Sequence, residues 1–288
     1  MQDLHRILNQ QEFDSVEDAN QFMQQLLAST GGFVPETSPR SPLEQAQDVM
    51  YQAWDTTSRT QRIKLARQAL DISPDCADAY VLLAEESAQT PAEARALYEE
   101  GVKAGERALG NEAFEELVGN FWGVLETRPY MRARLGLAQA LWAVGEHQQA
   151  AEHMQDLLRL NPGDNQGVRY LLASLLLQMD DDAALEKLLG KYPDDWSANW
   201  KYTTALLAFR KEDRSEMANT LLKEAIQYNR FVPPLLLGKK KLPKQMPALI
   251  APGQESEAIH YAADAIIPWQ RTPGARDWLA EILTQTSP

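Results

Sequence analysis

The side chains able to do chemistry are few, and their spacing is unfavourable. There are four histidines: His5, His147, His153 and His260. His147 and His153 stand six apart, which does not place them on one face of a helix. No His-x3-His or Cys-x2-Cys spacing occurs, so a zinc site is not expected. The run Asp180-Asp181-Asp182 suggests calcium, but it lacks the glycine and the distal bidentate glutamate of a calcium loop. It falls at a turn between two helical patterns, where an aspartate is expected to cap the second helix. Gly31-Gly32 is not followed by Lys-Ser or Lys-Thr and does not follow a strand, so no phosphate loop is expected. No Gly-x-Ser-x-Gly occurs. The paired carboxylates Glu99-Glu100 and Glu115-Glu116 are neighbours on helices and are expected to face solvent. The single cysteine, Cys76, permits no intrachain disulfide, and its expected role is that of a small buried residue. With no nucleophile, base and orienting group to name, the sequence assigns no catalytic residue, no metal and no cofactor.

Charge narrows the partners. The 288 residues carry 41 acidic and 28 basic side chains, a formal charge of −13. Such a surface opposes phosphate backbones, so neither nucleic acid nor an anionic membrane is an expected partner. The one basic cluster, Lys239-Lys240-Lys241, reads as a solvated linker, with anion binding or an intramolecular contact as the alternative. The first residues lack the charged start and apolar core of a signal peptide. No apolar run approaches the ~18 residues of a membrane span. The expected location is cytoplasmic.

The elements that carry these residues are helical hairpins. From Arg128 to Asp164, apolar residues at Leu135, Leu137, Ala138, Leu141 and Trp142 give one helix. Gly145 interrupts it, and Ala150, Ala151, Met154, Leu157, Leu158 and Leu160 give a second, closed by Pro162. The positions Arg134, Leu137, Ala138, Leu141, Ala150, Met154, Leu157 and Pro162 recur 34 residues later as Val168, Leu171, Leu172, Leu175, Ala184, Leu188 and an early Pro193. A third copy holds Trp200, Thr203, Thr204, Leu207, Ala218, Leu222 and Ala225. Upstream copies hold Tyr80, Leu83, Ala84, Ala94, Tyr98 and Gly101, and more weakly Val49, Met50, Ala53, Trp54, Ala66, Ala69 and Leu70. Small residues at these positions let paired helices approach, and large ones fill the groove beside them.

The expectation is an all-α, right-handed superhelical array of about five hairpins over residues 41–237. A helical insertion is expected near 111–127, on the apolar face of Phe114, Leu117, Phe121, Trp122 and Leu125. Residues 1–40 read as an N-terminal helical segment, with Ser15 and Asp18 resembling a capping box, followed by a linker. Residues 238–288 read as a Pro-rich connection and a C-terminal helical cap with helices over 256–269 and 275–284.

The array resembles tetratricopeptide repeat proteins. More narrowly, Arg132 to Ala138, Leu157 to Tyr170 with its Asn165-Gln166-Gly167-x-Arg169-Tyr170 stretch, and Tyr261, Trp269, Pro273-Gly274 and Trp278-Leu279 resemble the suppression-of-tumorigenicity-7 family. This narrower resemblance covers about Arg128 to Leu279. It implies a binding or scaffolding role with no catalytic set to transfer. Animal members are understood to be membrane-associated, a property not carried over to a sequence without a span.

A binding surface remains. First helices of stacked hairpins line the concave face. Helical geometry puts Arg132, Leu135, Gln139 and Trp142 on one stripe, then Gln166, Arg169, Ala173 and Leu176, then Lys201, Tyr202 and Ala205. Arg132, Gln139, Trp142, Gln166, Arg169, Lys201 and Tyr202 are therefore the candidate contacts for a protein or peptide partner. Arg132 and Arg169 together would suit a partner carboxylate. Against this, Arg169 can pair with Asp164 or Asp195, and Trp142 can serve packing. The function expected is a non-catalytic interaction or scaffold protein; the alternative is a module that self-associates, as a homo-oligomer, through its terminal segments.

Overall fold

The computed structural model describes residues 15–29 and 40–286. Helix α1 (Val16–Ser29) starts where expected, with the Ser15 hydroxyl accepting from the Asp18 amide at 3.1 Å and donating to its carboxylate at 2.7 Å. The short stripe Leu4, Ile7 and Leu8 lies outside the described residues.

Five hairpins follow: α2 (Pro42–Asp55) with α3 (Arg59–Ile72), α4 (Ala77–Glu86) with α5 (Pro91–Glu116), α6 (Arg128–Ala143) with α7 (His147–Leu160), α8 (Val168–Gln178) with α9 (Asp182–Lys191), and α10 (Ala198–Glu212) with α11 (Glu216–Tyr228). The punctuation in the sequence sets their starts. Ser41 and Glu44 form a reciprocal capping box, and Ser58, Thr90, Asp181, Ser197 and Ser215 each accept from the backbone N–H three residues on. α7 and α9 stop at Leu160 and Lys191, just ahead of Pro162 and Pro193.

Close approach depends on the small residues. A Cβ on Gly136 would come within 2.1 Å of the Tyr98 ring, and one on Gly105 within 2.8 Å of the Tyr130 Cβ. α5 and α6 are thereby seated against each other. First helices of successive hairpins pack together (α2 on α4, α4 on α6, α8 on α10), and second helices pack on the first helix of the next unit. The first helices therefore line the inside of an α-solenoid.

Two features differ from the sequence expectation. The stretch 111–127 is not helical throughout. α5 kinks at Gly110 (φ 68°) and ends at Glu116, and a short 3-10 turn at Phe121–Gly123 follows. The helical spacing of Phe121, Trp122 and Leu125 is broken at Gly119 (φ 94°), a conformation that favours glycine. Phe121 is nevertheless buried, and the Phe114 ring stands 5.3 Å from it and 5.0 Å from Tyr130.

The second difference concerns the C-terminus. α12 (Val232–Leu236) leads into the connection, then α13 (Glu255–Arg271) and α14 (Ala275–Thr286). α14 covers the end of the array on α11 and α12, with Trp278 stacked 4.5 Å from Phe209 and donating to the Asn219 side chain at 2.7 Å. α13 instead runs back across α8 and α10, two first helices, and so lies on the inner side. Ala258, Ala262 and Ala265 on α13 are buried and allow the approach. Tyr261 lies 5.6 Å from Tyr202, and the Trp269 indole donates to the Tyr261 hydroxyl at 2.9 Å.

The core divides on α4. Cys76, Ala79, Leu82 and Leu83 pack with the first hairpin, whereas Ala77 and Val81 belong to the larger cluster that continues to Ile282. Cys76 is buried as expected, and burial pushes its thiol up to about 12.

Candidate partner-binding surface

The inner face has two halves with different contents. In the N-terminal half, Arg132 on α6 reaches back to Asp78 on α4, its Nε 2.8 Å from Oδ1 and its Nη2 2.6 Å from Oδ2. Asp78 is fully buried and also accepts from Gln47 of α2 at 2.8 Å. One carboxylate thus ties three successive first helices. The outer side of the Arg132 guanidinium lies 5.5 Å over the Trp54 ring, which stands edge-on to Tyr51 at 5.6 Å. Tyr51 and Trp54 are each 42% exposed. Glu85 is open to solvent, yet desolvation, followed by the charges of Glu86 and Asp78, raises its carboxyl above the usual range.

Farther along α6, Gln139 is exposed. Trp142 is half-buried and donates to the Gln178 side chain at 3.0 Å, joining α6 to the end of α8. Gln166 donates to the Met131 carbonyl at 3.3 Å, and its own side-chain oxygen is buried without a protein partner.

The C-terminal half of the same face is used differently. Arg169 spends its charge within the chain: Nε lies 2.7 Å from Asp195, Nη1 lies 3.1 Å from Asp164, and the guanidinium packs 4.5 Å from the Tyr170 ring and 5.2 Å from Tyr192. Asp164 (φ 49°) also accepts from the Val168 and Arg169 amides at 2.6 and 3.1 Å, and so caps α8. The Asn-Gln-Gly-x-Arg-Tyr stretch is therefore the joint between two hairpins. The flanking carboxylates are pushed apart. Burial wins at Asp164 and raises it; at Asp195 burial is outweighed by hydrogen bonds from Ser197, Tyr170 and Arg169, which hold it low. Beside this joint a cleft of about 540 Å³ opens between Tyr192, Tyr228 and Trp196, the last 63% exposed.

Lys201 is half-buried, its ammonium 5.9 Å from the Tyr228 ring. Tyr202 has no exposed surface: α13 covers it, and its hydroxyl donates to the Asn229 carbonyl at 2.8 Å. It is a core residue, which corrects its placement among the candidate contacts. No periodicity in the sequence announces that α13 packs over this part of α10. Tyr51 and Trp54 are the residues missed. Their only sequence signal is an aromatic pair near the end of the first helix of the weakest repeat.

Among the described residues, no group of three His, Cys, Asp or Glu side chains is placed to hold a metal ion. His153 accepts from Arg134 at 3.2 Å. Among the same residues no helix is long and apolar enough to cross a membrane.

Stacked hairpins with an inner face partly filled by the chain's own helix α13 define a tetratricopeptide-like α-solenoid. The sequence model of the ST7 protein family matches residues 33–286, and the chain belongs to that family. The rat protein named Suppressor of tumorigenicity 7 protein-like (Rattus norvegicus) is 31% identical over 259 residues, spanning 82% of this chain and 46% of that protein. Protein ST7 homolog of Drosophila melanogaster is 29% identical over 255 residues, spanning 81% of this chain and 47% of that one. The chain thus spans about half the length of the curated relatives it matches. Among solved structures, YrrB, described as a TPR protein with an unusual peptide-binding site, shares 16% identity at a TM-score of 0.46, over 65% of this chain and 84% of that one.

Proposed function

We propose that the chain is a non-catalytic interaction protein that takes an extended peptide or protein segment along the inner face of α2, α4 and α6. One observation carries this reading: the inner face at α8 and α10 is occupied by α13, while Tyr51, Trp54 and Gln139 remain exposed on the other half. Aromatic side chains on a concave wall supply contact area at low entropic cost, and exposed polar groups beside them set register. Arg132 and Trp142 flank the exposed Gln139 on α6, and Gln166 is bonded to the first turn of that helix. Arg132 is a poor target for a charge reversal, since a glutamate there would leave Asp78 buried beside a like charge.

The test places a photo-crosslinking amino acid at Gln139, and in a second protein at Gln155, which is exposed on the second helix α7. Each is irradiated in a lysate of the producing organism. The expected result is one defined adduct from position 139, absent from position 155 and lost when Tyr51 and Trp54 are both changed to alanine. Equal adducts from both positions, or none from 139, overturn the inner-face assignment.

A further inference from the structure

The connection ahead of α13 carries three exposed apolar side chains within five residues. Leu249 is 83% exposed, Ile250 58% and Met246 41%. This is no loose loop. His260 on α13 bonds the Pro247 carbonyl at 2.9 Å, the Ser256 hydroxyl accepts from the Ala251 amide at 3.0 Å, and Glu257 accepts from the Gly253 amide at 2.8 Å. Leu242 packs against the main core at the other end. Held at both ends, the segment presents three neighbouring apolar side chains to water, and lysines flank them in sequence. Beside them Lys239, Lys241 and Lys244 are exposed, and Lys240 pairs with Glu255. They form a cationic spot on a chain of charge −13.

We infer that residues 239–250 form a second docking ledge, for an acidic segment of another protein that carries large apolar side chains. Charge selects the occupant. An acidic segment is repelled by most of this surface and attracted at the lysines, so the field itself sets where it lands. Leu249, Ile250 and Met246 then bury the apolar side chains. The position selects against a bilayer. The ledge is fastened to α13, which packs on α8 and α10 on the inner side of the solenoid. A flat membrane cannot follow the inside of a curve, whereas a helix or strand can. The ledge does not depend on the α2–α4–α6 wall, and either can fail alone.

The test measures fluorescence anisotropy with the full chain and a short labelled peptide of glutamate and leucine; a lysine–leucine peptide is the control. The acidic peptide is expected to bind, the basic one not, and affinity should fall with added salt. Lys241→Glu with Lys244→Glu, and separately Leu249→Ser with Ile250→Ser, should each weaken binding at least tenfold with an unchanged melting curve, since all four side chains are largely solvent-facing. Tyr51→Ala with Trp54→Ala should leave this affinity unchanged. No binding by the native chain, equal binding of both peptides, or insensitivity to the ledge variants overturns the proposal. So does co-sedimentation with phosphatidylserine vesicles that the ledge variants abolish, which would assign the ledge to lipid.

Discussion

The two ends of the solenoid are built from the same hairpin but are held together in different ways. At the N-terminal end, α2, α3 and part of α4 enclose a small core dominated by alanines, Ala46, Ala53, Ala66, Ala69 and Ala79, and polar ties from Asp78 connect its inner helices. At the C-terminal end, Tyr202, Tyr261, Trp269 and Trp278 are buried around α13, and the inner face is closed by packing. The lesson is that a first helix can serve as a wall for a partner or as a floor for the chain itself. What decides is whether a later segment returns to cover it.

Four changes would break or sharpen this contrast. Trp269→Ala should cost most, about 3–5 kcal/mol in chemical denaturation, because a fully buried indole and its bond to Tyr261 are lost. Hydrogen exchange in this variant should rise through α8, α10 and α13 and stay unchanged in α2 and α3. Equal loosening of both ends would show that they are one cooperative unit. Arg132→Ala comes next, at about 3 kcal/mol, since it strands the buried Asp78 charge, with water reaching the partly exposed guanidinium side keeping the loss at the low end for a buried pair. Adding Asp78→Asn should recover part of that loss; no recovery would mean that the pair is not what ties α4 to α6. Gly136→Ala should cost about 1–3 kcal/mol through the clash with Tyr98, and pairing it with Tyr98→Ala should relieve the clash.

The smallest effect is in pH. Burial, with the Arg134 guanidinium beside it, holds His153 below its ordinary value of 6.5. The unfolded chain therefore binds this proton more tightly than the folded one. The contribution is full above 6.5 and is lost as pH falls toward and through the lower folded value. His153→Gln should flatten the stability profile below pH 6.5, measured by denaturant midpoints.

Local punctuation made the hairpins legible. Proline, glycine and a capping serine or aspartate mark most helix ends, and Asp181 caps α9 as its position implied. The pairing of Arg169 with Asp164 and Asp195 was also within reach, because acidic residues stand near in sequence or one turn further along the array. Contacts between distant segments were not legible. Arg132 and Asp78 lie 54 residues apart, and Arg210, bonded to Thr272 at 62 residues' distance, also pairs with Asp180 and Asp182. The spacing of Ala258, Ala262 and Ala265 marks α13 as a packed helix but names no groove. Over 117–127 an apolar spacing imitates a helix that two glycines, Gly119 and Gly123, interrupt.

The return of α13 has a consequence for the order of manufacture. An array whose units touch only their neighbours can fold as it leaves the ribosome, each hairpin docking on the one before. Here the inner sides of α8 and α10 wait for a helix made roughly ninety residues after α8, which at ribosomal speed is on the order of 5–20 seconds. During that interval Tyr202 and its neighbours are uncovered. The nascent chain is then at its stickiest, and a chaperone has its longest opportunity to hold it.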